Sequence, residues 1–285
     1  MDLQTLLLPF SFGFMQNAFL ICIIVSVPMA LLSCFLVVKG WALMGDAISH
    51  AVLPGVILAY IIGLPLILGA FVAGMTCAVA TGYLTENSRI KQDTVMGVVF
   101  SGMFAIGIVL YTSIETNAHL NHILFGNLMG VEPSELWTSA ILSAGVALGL
   151  ILKAKDLILY SFDPAQARAA GLPTTALHYG LLAALSLTIV ATLSAAGLIL
   201  AIGLLIAPGA IAFLLVRQFS TMLWVATGLC MASMVAGTYI SFWLGSSPAA
   251  TVVMILTGLF LGAFARRQIL TRRASQLVTG QPVDP

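Results

Sequence analysis

Apolar residues in this chain gather into long runs separated by short polar connections. A helix that crosses a bilayer needs about 20 mostly apolar residues. Runs of that order occupy 17–38, 43–62, 66–84, 94–111, 136–152, 176–195, 198–216, 222–243 and 248–265. The second is least apolar at its start, and the seventh is interrupted by Pro208-Gly209. The pattern predicts an all-α, polytopic transmembrane bundle of about nine spans. An eight-span bundle with one re-entrant segment is the variant the same pattern allows. No basic n-region or small-residue cleavage site precedes the first run, so it is expected to be retained as a span.

The connections orient the bundle. Lys and Arg accumulate in cytoplasmic loops because positive segments resist translocation. With the N-terminus outside, the cytoplasmic side receives Lys39, Arg89, Lys91, Lys153, Lys155, Arg168, Arg217, Arg266, Arg267, Arg272 and Arg273, all eleven basic residues of the chain. Removing one internal span would send several of them outward. The expected organisation is a transmembrane domain over 1–265 and a cytoplasmic tail over 266–285, basic and then polar, with weak ordering signals. An outer loop over 112–135 is expected to hold a short helix, and an inner loop spans 153–175. Small residues spaced four apart, such as Ala70 and Gly74, read as positions of close helix packing.

Composition agrees with a membrane setting and removes several other functions. Of 285 residues, 60% are hydrophobic and 7% charged, against about 25% charged in a soluble domain; mean hydropathy is +1.10. A net charge of +1 gives no basis for a nucleic-acid partner. Cys22, Cys34, Cys77 and Cys230 lie far apart inside apolar runs, with no CxxC spacing, and read as small buried hydrophobes. The sequence has no HExxH, no GxSxG, and no lysine preceded by glycine as a Walker A loop requires. The chain therefore reads as a non-enzyme, unable to hydrolyse ATP by itself.

Ionisable groups inside the apolar runs are few, which makes GWALMGDAISHAVLPG (40–55) the most informative segment. Asp46 and His50 are four apart, so on a helix both project from one face. Asp46 lies about 10 Å along the helix past Lys39. A charge at mid-bilayer costs roughly 2.5–3.5 kcal/mol, so such a pair is expected to face a water-lined path, a partner or a cation. Carboxylate plus imidazole suits Mn²⁺, Fe²⁺ or Zn²⁺ better than Cu⁺. One pair is too few ligands for tight binding; two copies across a dimer axis would supply two of each. The spacing equally fits a plainer reading, in which Asp46 caps the second helix and His50 hydrogen-bonds within the bundle.

Two loops hold further candidates. Glu115, His119 and His122 of the outer loop stand at helical spacing and offer a place to receive metal, although solvated loop residues look the same. Glu132 and Glu135, flanking Pro133, read as loop and helix-start residues, and His178 as an interfacial residue opening the sixth span. In the inner loop, FDPAQARAAGLP (162–173) reads as a short helix, Asp163 capping it, Pro164 in its first turn and Gly171 closing it. Such a helix suits docking to another protein, or merely joins two spans.

Five stretches, GDAISHAVLPG (45–55), SRIKQDTVMGVVFS (88–101), HLNHILFGNLMGV (119–131), SFDPAQARAAGLP (161–173) and GLILAIGLLIAPGAIA (197–212), resemble the metal-type ABC importer permeases that take up manganese, iron or zinc in bacteria. The outer HLNHILFGN stretch is more similar to the manganese/iron branch. The resemblance implies a multi-pass subunit of the bacterial inner membrane that pairs with a second permease chain, identical or related. It also implies a cytoplasmic ATPase dimer and an extracytoplasmic solute-binding protein as partners. No resident cofactor is implied; the divalent metal is cargo. Asp46 and His50 match positions associated in that family with metal coordination along the pathway. The helix carrying Asp163, Ala167 and Gly171 matches its coupling helix, which enters a cleft on the ATPase. The competing expectation is a gradient-driven secondary metal transporter, which would transport alone and show an inverted repeat.

Overall fold

A computed structural model describes residues 8–113 and 128–279, and the regular elements among them are all helical. In chain order they are α1 (Gly13–Lys39), α2 (Ala42–Ile62), α3 (Leu66–Asn87), α4 (Gln92–Thr112), a single 3-10 turn (Leu128–Gly130), α5 (Pro133–Leu152), α6 (Ala154–Phe162), α7 (Pro164–Ala169), α8 (Thr174–Leu215), α9 (Phe219–Leu244) and α10 (Pro248–Thr279). Nine helices among the described residues are long and apolar enough to cross a membrane, with α8 contributing two, Thr174–Leu193 and Ala196–Leu215. The nine-run pattern of the sequence is thus the pattern of the fold.

The helix boundaries follow from local chemistry. Pro133, Pro164 and Pro248 each stand at a first helical position, where the missing N–H is not needed and the fixed φ suits the helix. Glu132 and Glu135 form a reciprocal capping box at the start of α5, satisfying backbone donors that a helix start leaves orphaned. α10 continues beyond the ninth apolar run to Thr279, because RRQILTRRASQLVT contains no glycine or proline to stop it.

Gly197 explains how two spans come from one helical run. Its φ of 76° and ψ of 172° lie in a region essentially restricted to glycine, and there the chain doubles back. The start of the first arm carries His178, whose Nδ1 lies 2.9 Å from the Tyr160 hydroxyl. Near the end of the second arm, the N–H of Gly209 donates to Ser33 Oγ at 2.9 Å, less than two turns before Lys39. Lys39 Nζ in turn lies 3.6 Å from the centre of the Tyr160 ring. Both arms therefore have their free ends at the same end of the bundle.

α1 is the central helix, packed by α8, α9 and α5, while α2 is held among α3, α4 and α8. Ala70 and Gly74 work as packing positions. Ala70 is buried, and a methyl group on Gly74 would meet Ser186 and Ile48 of the neighbouring helices. Large apolar side chains such as Val98, Ile141, Trp224 and Met254 point outward, as lipid-facing positions of a bundle do.

Candidate functional site

The Asp46–His50 pair lies in the second turn and beyond of α2, not at its cap. α2 begins at Ala42 with Trp41 as its N-cap residue, and no side chain caps it. The capping reading of Asp46 therefore fails: the carboxylate is too far inside the helix to reach the orphan N–H groups of the first turn. Instead, Asp46 Oδ1 lies 3.3 Å from His50 Nε2. Both side chains are partly open, 31% and 29% exposed, on the protein's own surface rather than within its core.

The surroundings of the pair are asymmetric. His50 stacks on Phe100 at a centroid distance of 5.8 Å and meets the edge of Phe104 at 5.4 Å, so α4 fixes the plane of the imidazole. On the side away from Asp46, Ser49, Leu53, Phe104, Leu193 and Leu198 close around a void of about 10 Å³, room for one water at most. Behind α2, Gly45 packs against Leu205 of α8, and Ser49 Oγ donates to the Gly45 carbonyl at 2.7 Å. A partly open acid–imidazole pair thus lies beside a small, mostly apolar void to which the two sides of the Gly197 reversal contribute Leu193 and Leu198.

Among the described residues the pair has no third ligand from its own chain. No group of three or more His, Cys, Asp or Glu side chains suited to a metal occurs among the described residues. The partial exposure of Asp46 and His50 leaves room for ligands from outside the protomer. Glu115, His119 and His122 lie outside the described residues.

The short inner helix is built as its sequence requires. Asp163 accepts from the N–H groups of Ala165 at 2.9 Å and Gln166 at 3.0 Å, and Pro164 opens the helix. Gly171, at φ 77°, closes it: its N–H donates to Arg168 O and that of Leu172 to Ala167 O, both at 3.0 Å. This is a Schellman motif, which needs a left-handed residue where glycine stands. Ala167 is fully buried, so the helix is seated on the bundle, while Gln166 and Arg168 face outward.

A cluster that no local sequence pattern announces joins α6, the helix just before α7, to the start of α2. Tyr160 of α6 bonds His178, His178 meets the Trp41 ring edge-on at 5.1 Å, and Lys39 Nζ lies 4.6 Å from the centre of Trp41. Trp41 immediately precedes the helix that carries Asp46. His178 is thus a bridging residue as well as an interfacial one. Tyr160 lies 18 residues before it and Trp41 in a different span, and no spacing rule announces either.

These features define a class before they define a family: a multi-pass helical membrane protein with a polar pair in one span and a capped helix seated at one end. The chain belongs to the ABC 3 transport family, whose model matches residues 11–267. It is 53% identical over 267 residues, covering 94% of this chain and 98% of the other, to a "Probable iron transport system membrane protein" of Haemophilus influenzae. It is 44% identical over 253 residues, 89% of this chain and 83% of the other, to the "Manganese transport system membrane protein MntB" of Synechocystis. Among solved structures it resembles "PsaBC from Streptococcus pneumoniae in complex with Fab", with a TM-score of 0.81 and 35% identity over 89% of this chain and 91% of that one. The chain is accordingly a membrane transport subunit.

Proposed function

We propose that the chain forms half of the translocation pathway of an ATP-driven importer for a divalent transition metal, Mn²⁺ or Fe²⁺ in preference to Zn²⁺. The observation that carries this reading is the Asp46–His50 pair, 3.3 Å apart and open to the protomer surface, in a chain of the ABC 3 transport family. Two permease chains, identical or related, bring their pairs together, giving two carboxylates and two imidazoles. Borderline N/O ligands of this kind suit first-row divalent ions. A site of few ligands also releases its ion, as conduction requires. Names of relatives that specify iron and manganese support the metal class.

The sidedness follows from charge. The end of the bundle where Lys39, Tyr160, His178 and the capped α7 meet also carries the basic connections, and we assign it to the cytoplasm. The N-terminus is then outside and the C-terminal tail inside. On that side α7, with Asp163, Ala167 and Gly171, is the coupling helix that a separate ATPase dimer grips. A solute-binding protein delivers metal on the opposite side, where Glu115, His119 and His122 belong to the receiving loop. ATP-driven movement of α7 reaches α2 through Tyr160, His178 and Trp41.

Reconstitution into proteoliposomes with the ATPase and binding protein tests the reading. Metal uptake is expected to require hydrolysable ATP, and Asp46→Ala or His50→Ala to abolish it while the complex still assembles. Uptake by the chain alone, driven by an ion gradient, would reverse the assignment in favour of a secondary transporter.

A further inference from the structure

At the same end of the bundle as α7, a cavity of about 350 Å³ is lined by Arg217 and Arg267 together with Phe162, Phe213, Phe219 and Met222. Arg217 belongs to the connection between α8 and α9, and Arg267 to α10. Among the described residues neither guanidinium has a carboxylate partner, and no acidic side chain lines the cavity. Two cations thus stand over an aromatic floor without a counter-charge among the described residues.

The position of the cavity says what kind of anion fits it. Phe213 stands two residues before the end of the span Ala196–Leu215 and Met222 three residues after the start of Phe219–Leu244, so the floor is built from the ends of two apolar spans, where headgroups of a bilayer meet its acyl chains. Phe162 and Phe213 are nonetheless 60% and 56% exposed, leaving aromatic surface for an apolar occupant. Arginine forks match phosphate oxygens in pairs, and basic pockets between spans attract anionic headgroups. One molecule offers phosphate above and methylenes below.

We propose that this cavity binds an anionic phospholipid, its phosphodiester between Arg217 and Arg267 and the upper part of one acyl chain against Phe162 and Phe213. The site is separate from Asp46 and His50 and does not depend on what the protein transports. Because Phe162 directly precedes Asp163, the bound lipid would touch the root of α7.

Native mass spectrometry of the detergent-purified permease–ATPase complex, titrated with phosphatidylglycerol or phosphatidylcholine of matched chains, tests the site. Phosphatidylglycerol is expected to be retained preferentially. R217Q/R267Q should weaken its retention roughly fivefold per arginine, about 25-fold for the pair, without changing retention of phosphatidylcholine. R217K/R267K, which keeps both charges, should hold most of the preference. Soluble glycerol 3-phosphate should not displace the lipid. Equal retention of the two lipids, unchanged retention in R217Q/R267Q, or equal loss in the Lys and Gln variants would overturn the proposal. Displacement by glycerol 3-phosphate would make it a free-anion site. Shedding of the ATPase by R217Q/R267Q with phosphatidylglycerol still held would make the arginines protein contacts; either result counts against a lipid.

Discussion

Pro208 has no N–H to give the helix ladder, and Ser33 ties the groups on either side of it. Its hydroxyl accepts from the Gly209 N–H at 2.9 Å and donates to the Ile206 carbonyl at 3.2 Å. The Pro208-Gly209 break visible in the sequence is therefore tied across to another span, and its partner lies 175 residues earlier than Pro208, where only the fold could reveal it. Ser33→Ala removes both bonds from a fully buried position and is expected to destabilise the protein by about 1–3 kcal/mol. Denaturant unfolding in detergent measures this; an unchanged midpoint would mean that water replaces the hydroxyl. Asp46 is the opposite case, because its pairing with His50 at i, i+4 was legible from spacing alone. The wall of Phe100 and Phe104 was not, since aromatic residues in an apolar run look alike whichever way they face. Asp46→Asn keeps the shape and a hydrogen bond to His50 but loses the charge. It is expected to lower metal uptake at least tenfold, about 1.4 kcal/mol or more of pathway stabilisation, with assembly of the complex unchanged. Wild-type uptake by Asp46→Asn would show that the carboxylate's charge is not used.

At the scale of elements, the six-residue α7 is too short to persist on propensity, so its ends must hold it. Asp163 satisfies two N–H groups at the start and Gly171 supplies the left-handed turn at the finish; both were readable because capping is a local affair between neighbours in sequence. The seat was not readable, because the burial of Ala167 depends on helices distant in the chain. Asp163→Ala is expected to cost about 1 kcal/mol at the cap and to lower the ATP-to-metal coupling ratio. Asp163→Asn, which also caps, should restore it. If Asn and Ala behave alike, the charge and not the cap is what matters. The Tyr160–His178 bond lies one element further along the same route. Tyr160→Phe removes the hydroxyl while keeping the ring beneath Lys39. Steady-state measurement should find ATP hydrolysis retained and metal imported per ATP reduced severalfold, whereas proportional loss of both would mark a folding role.

For the whole molecule, the decisive feature is the reversal at Gly197, since it gives α8 two spans in place of one and so sets which side every later loop occupies. Runs of apolar residues located the two arms on either side, because length and hydropathy need no tertiary information. That the arms share a continuous helical assignment, turned by one glycine, was hidden in a sequence that offers only Ser194-Ala195-Ala196-Gly197 between them. Were the second arm re-entrant instead, Arg217 and the four arginines of 266–273 would move to the far side, against the tendency of positive loops to stay inside. Single cysteines distinguish the two arrangements, and the four native thiols are all buried, which keeps the background low. Leu64→Cys and Ser247→Cys lie in connections at one end, Ser88→Cys and Gln218→Cys at the other. A membrane-impermeant maleimide added to intact spheroplasts is expected to label positions 64 and 247 and to reach 88 and 218 only after permeabilisation. The comparison within the chain carries the test: 64 and 88 precede the reversal, 218 and 247 follow it. Labelling of 64 and 218 together from outside, with 88 and 247 protected, would mean that the chain re-enters at Gly197 and crosses the membrane an even number of times.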